Sequence, residues 1–436
     1  MNSSKFLQIH TLTSYPATLL NRDDAGFAKR LPFGGTTRTR VSSQCLKYHW
    51  RNYEGKNALY KIKESKKSFR SRETFQRKLA KPLLKEDYPK QLIIAAVESF
   101  KVLLLHDNDH LDKNDHLKKS SFKDFISKEN LEALHTDQLT IFGVPEIKYL
   151  QKVVREELQN LDDEFGNLNR ETEITEEIVN KAYEEFNDYF KSRGKKSTIK
   201  KNLKGLKMAA GLDAAMFGRM VTSDILSRGD AAIHVAHAFT THAEESESDY
   251  FSAVDELRRD QPGESGELGA GHINSTELNS GLFYNYVVVD LPLLVSNLEA
   301  EERQNWQDAN KDLASEVIRR LIHIIATVSP GAKLGSTAPY SYAQCLLVEA
   351  GSAQPRTLAN AFQQAVSTNG EGVLANSFEA MGNYIKELDE MYGQHNDRIL
   401  AAMEPKDKLL DFLELDTTNT VPEVADWAAN QVNGDQ

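Results

Sequence analysis

A chain of 436 residues with 40% apolar content can bury a large core and divide into two or three subdomains. Its net charge of −11 argues against an ordinary nucleic-acid binder, yet residues 1–90 carry 20 Lys and Arg against 7 Asp and Glu, a net of +13, which leaves 33 against 57, a net of −24, for positions 91–436. Cys45 and Cys345 stand in no metal-ligand spacing and read as reduced thiols, no stretch has the length of an apolar membrane span, and MNSSKFLQIHTLTSYP lacks an export pattern, so a cytoplasmic location is expected.

In chain order, KFLQIHTL at 5–12 reads as a strand with Leu7 and Ile9 on one face, followed by the loop TSYPATLLNRDDAGFAKR. Residues 32–51, PFGGTTRTRVSSQCLKYHWR, combine a Gly-Gly turn, a basic strand and a helix start. Arg38 and Arg40 fall at i and i+2 among Thr37, Thr39 and Val41, so an extended strand sends both guanidinium groups to the same face. Ser42 or Ser43 caps the helix, whose free N–H groups and positive dipole end favour an anion. Lys47 and Arg51 at i, i+4 add two charges on one side, while Leu46 and Trp50 face inward. Together these features read as a surface that grips phosphates.

From about 54 to 206 the texture is Lys, Glu and Leu with helical periodicity, as in YPKQLIIAAVESFKVLLL and EEIVNKAYEEFNDYFKS, and reads as a helical insertion. Its last part, Lys191 to Lys207, holds eight Lys and Arg and no acid. Alone this run is a solvated helix face or loop. Beside an acidic body, basic tracts suit a single polyanion held along a groove, or copies of the chain meeting acidic face to basic face. Next come GLDAAMFGRM, an acidic Gly-rich stretch, the strong β run LFYNYVVVDLPLLV, a helix from about Trp306 to Val328, the turn SPGAKLGSTAPY, the strand AQCLLVEA and a helix-rich tail. No repeat of the solenoid kind is visible. The order suggests an α+β core of ferredoxin-like type, although the paired aromatic motifs of RNA-stacking sheets are missing.

Metal and cofactor signatures are weak. His234, His237 and His242 lack the Glu of a zinc helix motif and a nearby cysteine, so they read as polar packing. HDNDHLDKND at 106–115 lacks the Gly and terminal Glu of a calcium loop. Phosphate-loop and dinucleotide fingerprints are absent, and no cofactor is expected.

The segments IHTLTSYPATLLNRDDAGFAKRLPFGG, RTRVSSQCLK, GLDAAMFGRMVTSD, AIHVAHAFTTH, DYFSAVDEL, ELNSGLFYNYVVVDLPLLVSNL and PGAKLGSTAPY, in this order, resemble the CasC-type backbone subunit (Cse4/Cas7 family) of the type I-E CRISPR surveillance complex, Cascade. The resemblance is weakest over about 54–206. It implies an α+β fold with an RRM-like (ferredoxin-like) palm made of residues 1–53, 207–237 and 276–436, a large helical fingers insertion at 54–206, and a flexible thumb hairpin at 238–275. It further implies a non-enzymatic subunit that stacks head to tail along the guide (crRNA) and presents it to target DNA, so that base pairing reads the sequence while protein holds the backbone. The implied partners are crRNA, target DNA through the guide heteroduplex, other copies of the chain and other Cascade subunits, with no membrane.

Carried over residue by residue, the resemblance places Arg22, Lys29, Arg38, Arg40, Ser42, Gln44, Lys47 and Arg51 around guide phosphates. Met220 would lie against guide bases with Arg219 as its basic neighbour, and Phe251 would pack at a displaced base or, equally, in ordinary core. The chain departs from the pattern at Thr36 and Thr37, and at Tyr48, His49 and Trp50, where relatives are often basic. The alternative is a metal-dependent, guide-directed ribonuclease using Asp23 beside Asp24. The plainer reading is that these carboxylates pair with arginines or cap a turn.

Overall fold

The computed structural model describes residues 4–128, 130–166, 168–191, 195–206, 208–219, 226, 229–254, 270–394 and 396–434. They form two compact units, one of Met1–Ile62, Ile233–Leu291 and Lys311–Gln436, the other of Lys63–Ala232 and Pro292–Asn310. The described strands are β1 (Phe6–Thr18), β2 (Arg30–Phe33), β3 (Thr36–Val41), β4 (Ser68–Ser71), β5 (Thr140–Gly143), β6 (Ile233–Val235), β7 (Ala238–Thr240), β8 (Glu245–Val254), β9 (Ala270–Asp290), β10 (Cys345–Gly351) and β11 (Asn396–Ala402).

In the first unit an antiparallel sheet runs in the order β11-β10-β1-β9-β7-β3-β2, and β6 and β8 also pair with β9. Strand β1 lies in the middle, with Phe6 to Leu12 opposite Gly351 to Cys345 on one side and Phe6 to Thr18 opposite Asp290 to Asn279 on the other. The loop expected after residue 12 is corrected: the strand continues to Thr18 because a register shift between Tyr15 and Thr18 accommodates Pro16, with Ala17 at φ 47°. Strand β9 serves two partners along its length. Its second half pairs with β1, and its first half forms a ribbon with β8, from Glu245 opposite Ser280 to Val254 opposite Ala270.

Both faces of this sheet are covered along its central strand, β1. Gln8, His10 and Leu12 alternate with Leu7, Ile9 and Thr11, and all six are buried. On the Leu12 face, Tyr284 and Leu347 pack with Leu358, Phe362, Phe378, Met381, Leu409 and Leu413. These come from the turn Ala359–Phe362, its flank, and the helices Val373–Tyr392 and Asp407–Leu413. The helix Val421–Asn430 packs on β10 and β11 and against the helix Asp312–Thr327. Among the described residues the centre of the sheet therefore offers no open face on which a base could stack. The same face holds a polar cluster, in which buried Glu349 accepts from Arg356 (2.6 and 3.0 Å) and Arg398 (2.8 Å) and lies 3.3 Å from His10. Those partners hold its carboxyl well below the usual range although burial works the other way.

The second unit is built around the helix Lys90–Leu105, which is buried on nearly all sides, as its almost unbroken apolar sequence requires. The helices Lys119–Ser127, Val144–Phe165, Glu176–Asn187 and Lys195–Lys204 contribute Phe122, Leu150, Leu158, Phe186, Ile199 and Leu203 to the same core, and β4 pairs with β5 beside it. Among the described residues no helix is long and apolar enough to cross a membrane.

The expected Gly-Gly turn joins β2 to β3. Gly34 and Gly35 have φ of 60° and 78°, the backbone of a type I′ hairpin turn. Their surroundings differ: a Cβ on Gly34 would sit 1.4 Å from the Gln363 carbonyl oxygen, and one on Gly35 would meet nothing. Both Ala substitutions strain the left-handed backbone, but Gly34→Ala must also displace a neighbouring main chain. Denaturant titration is expected to find Gly34→Ala less stable than Gly35→Ala by about 1–3 kcal/mol, the usual range for overpacking. Equal losses would refute this account of the turn.

Candidate nucleic-acid interface

The N-terminal loop is tied to the following helix by short polar contacts. Asn21 Oδ1 accepts from the Ser42 N–H (3.0 Å), and Ser42 Oγ accepts from the Cys45 N–H (3.3 Å), capping α1 (Ser43–Arg51). The Lys29 N–H donates to Asn21 O (2.9 Å), and the Arg40 N–H donates to Lys29 O (2.8 Å). The loop closes on Asp23, whose Oδ1 accepts from the Phe27 N–H (2.9 Å), while Arg22 bridges to Ala28 and is exposed. Asp23 thus takes the turn-capping role. As expected, α1 buries Leu46 and Trp50; Lys47 and Arg51 are half-buried and Gln44 is exposed. Arg51 Nε donates to the Lys47 carbonyl (3.1 Å).

These ties bring Arg40 into contact with the His237 imidazole and set Lys29 and Lys47 near it. Arg40 donates to the Arg30 carbonyl through Nε (3.1 Å) and to His237 Nδ1 through a terminal nitrogen (3.0 Å). Partial burial lowers the His237 pKa below its ordinary value, and Arg40, Lys29 and Lys47 lower it further, so His237 is neutral and accepts from Arg40. Mutual repulsion of this kind is relieved by an anion. Next to the cluster, burial pushes the Cys45 thiol up to about 11 despite the nearby Lys29. At the other end of α1, His49 Nε2 accepts from the Gly331 N–H (3.3 Å), and Lys333 Nζ donates to Thr276 Oγ1 (2.6 Å), which draws the 329–338 loop to the base of the β8–β9 ribbon. Arg30 clamps that base through Glu244 (2.5 Å) and Glu277.

Two residues expected at the guide, Arg38 at its phosphates and Arg219 beside Met220, are buried. Arg38 is fully buried: Nε donates to Thr36 Oγ1 (2.7 Å), one terminal nitrogen to the carbonyls of Thr240 and Thr241 (3.0 and 2.8 Å), and the other to those of Phe362 and Gln363 (3.0 and 3.4 Å). Strand alternation does put Arg38 and Arg40 on one face, but residues 362–363 cover only the first. Arg219 is buried in the second unit, where it pairs with Glu146 (2.7 Å) and donates to the Ile141 carbonyl (3.3 Å). Ser42 is present at the helix start but its hydroxyl is committed to the cap. Met220 lies outside the described residues, and of Phe251 only the backbone is described, opposite Asn274 in the ribbon.

Among the three spaced histidines, His242 is buried, with Nδ1 donating to the Ala243 carbonyl (2.7 Å) and Nε2 accepting from the Leu282 N–H (3.2 Å). His234 and His237 are exposed, and no cluster of three possible metal-binding side chains exists among the described residues. Sequence reasoning set His237 aside as packing and passed over Lys333 and Asn21. Their partners lie 197, 57 and 21 positions away, beyond the reach of a local pattern.

With this geometry in place, comparison with known proteins is decisive on kinship. Residues 7–427 match the CT1975-like protein family. The chain belongs to that family, one of Cas7-like proteins. No curated protein matches it in sequence. Two solved structures share the fold of this Cas7-like chain. One, described as "CRISPR RNA-guided surveillance complex, pre-nicking", aligns over 98% of this chain and 100% of its own at 24% identity and a TM-score of 0.68. The other, "CRISPR RNA-guided surveillance complex", aligns over 97% and 99% at 21% identity and a TM-score of 0.59.

Replacing Arg38 separates structural from surface cations. Arg38→Ala removes the guanidinium bonds to the Thr36 hydroxyl and to the carbonyls of Thr240, Thr241, Phe362 and Gln363, opens a buried void, and is expected to lower unfolding free energy by about 3 kcal/mol. Gln44→Ala, at an exposed site, should change it by less than about 0.5 kcal/mol. Comparable denaturation midpoints for the two variants would remove Arg38 from its structural role.

Proposed function

We propose that this chain is the crRNA-binding backbone subunit of a type I-E CRISPR surveillance complex, and that copies of it stack head to tail along the guide. The observation that carries the reading is the convergence of Lys29, Arg40 and Lys47 on His237 beside the capped start of α1. Family membership and a fold shared with chains of RNA-guided surveillance complexes support it. In this reading an RRM-like palm spans 1–53, 207–237 and 276–436, the fingers span 54–206, and the thumb spans 238–275. Arg22, Gln44 and Arg51 flank the phosphate site, and Met220 and Phe251 meet guide bases.

Contacts made by ammonium and guanidinium groups to phosphates hold the strand without reading it, so bases stay free to pair with target DNA. A head-to-tail contact that does not close into a ring yields a helical filament, whose length follows the RNA. The chain acts as a scaffold and partners with crRNA, target DNA, itself and the other complex subunits.

The test is binding of single-stranded RNA to Lys29→Ala/Arg40→Ala/Lys47→Ala. Affinity should fall for every guide sequence alike, and the slope of log K against log salt should flatten by about 2, at ~0.7 per lost phosphate contact. A loss confined to particular guides would overturn the assignment. The bound phosphate also favours the imidazolium of His237, so the complex holds more protons than the free protein. Wild-type affinity should therefore rise as pH falls from ~7.5 to ~6, a dependence that His237→Gln removes.

A further inference from the structure

The segment SPGAKLGSTAPYSYAQ at 329–344 carries two tyrosines with no task inside the fold. Tyr340 and Tyr342 are 73% and 67% exposed, and among the described residues neither ring packs on another ring and neither hydroxyl has a hydrogen-bond partner. The hydroxyls of Tyr183, Tyr189, Tyr284 and Tyr286, by contrast, are all bonded within the protein. The backbone under the two bare rings is fixed. Between them, the Ser341 N–H donates to Ser329 Oγ and the Ser341 carbonyl accepts from it (both 2.9 Å). The Ala343 N–H donates to the Ala326 carbonyl and the Gln344 N–H to the Leu12 carbonyl (both 2.8 Å). Leu334 and Pro339 close over Gly331, where a Cβ would sit 2.4 and 2.9 Å from them.

This platform is continuous with the cationic corner. The Ala332 N–H donates to the Leu19 carbonyl (3.0 Å), two residues before the Asn21 that holds the start of α1, and the Gly331 N–H donates to His49 on α1 itself (3.3 Å). Residues 329–344 contain one cation, Lys333, and no carboxylate, so a phosphate strand meets no repulsion from them. Two residues of chain span at most about 7 Å. That is close to twice the spacing of stacked bases, about 3.4 Å. The rings can therefore flank one base or support two in succession. In this loop only Leu334 adds another exposed large apolar side chain, which leaves the patch well short of the roughly 800 Å² per partner of a stable protein interface.

We propose that Tyr340 and Tyr342 are a stacking rest for a base of the guide strand whose phosphates lie at the Lys29, Arg40 and Lys47 corner. A cationic track beside aromatic rings is a general way to hold a single strand, because every base has a π-face. Stacking occupies that face and leaves the hydrogen-bonding edge of the base open. Rings already fixed on ordered backbone lose little freedom on binding. The proposal rests on the guide-binding reading above and adds a base contact to its phosphate contacts.

The test uses the full chain as Tyr340→Ala/Tyr342→Ala, with Tyr340→Phe/Tyr342→Phe as the variant that keeps both rings. Circular dichroism checks that each folds. The probes are a single-stranded RNA, the same strand with its bases removed, and single-stranded DNA of the same sequence. The alanine variant should bind the intact RNA about tenfold more weakly, the loss of one base–ring stack, with the salt slope of wild type because no phosphate contact is lost. It should bind the abasic strand as wild type does, and the phenylalanine variant should keep wild-type affinity for intact RNA. Undiminished binding of intact RNA by the alanine variant, or an equal loss on the abasic strand, would overturn the proposal. So would a loss confined to DNA, which would assign the rings to the target strand, or normal RNA binding with self-association lost in sedimentation velocity, which would assign them to a protein contact. Failure of the wild-type chain to bind RNA in a salt-dependent way would instead strike the guide-site reading.

Discussion

The buried guanidinium of Arg38 holds together the part of the molecule on which the interface is built. Its N–H groups reach the Thr36 hydroxyl and four carbonyls, at Thr240, Thr241, Phe362 and Gln363, so one side chain ties β3 to the end of β7 and to the segment preceding the helix Val373–Tyr392. A buried cation without a counter-ion is tolerated only when dipoles replace its water, and here four carbonyls point at it from two segments and a hydroxyl from a third. Gly34 belongs to the same arrangement, because the Gln363 carbonyl that faces Arg38 occupies the space a Cβ would need. With β3 held in this way, Arg40 two residues on is delivered to His237.

The central strand of the sheet is covered on both sides. The central strand buries alternating residues toward opposite layers, which is good for stability and leaves nothing for stacking. What remains is the corner where the Asn21 loop, the end of β3, the start of α1 and His237 meet. That corner is organised by main-chain hydrogen bonds from Lys29 and Arg40 and by the cap at Ser42, so its cations stand on ordered backbone. Preorganisation matters for a phosphate site, since a charge already in place loses less freedom on binding.

Basic residues in this chain do two separate jobs. Arg30, Arg38, Arg219 and Arg398 are consumed by carboxylates or carbonyls and hold segments together. Arginine suits that work because its planar fork makes several bonds at once. Lys29, Lys47 and Arg40 lie near His237, whose pKa burial lowers and their charges lower further. The excess of +13 over residues 1–90 is thus an upper bound on the charge offered to a polyanion.

Much of the local structure was legible in the sequence. The Gly-Gly turn, the inward Leu46 and Trp50, the strong strand in β9, the buried helix Lys90–Leu105 and the family likeness all follow from patterns spanning a few residues to a few tens. Tertiary structure alone decided which face-mates are covered. Arg38 and Arg40 share one strand face and are both flanked by β-branched residues, yet one is roofed by residues more than three hundred positions away and the other is only half-buried. The role of His237 was equally hidden, because an imidazole becomes part of a cation cluster only when Lys29, Arg40 and Lys47 arrive from a distant stretch of chain. Sequence periodicity reports the direction of a side chain, whereas burial and electrostatic environment depend on what the rest of the chain packs against it.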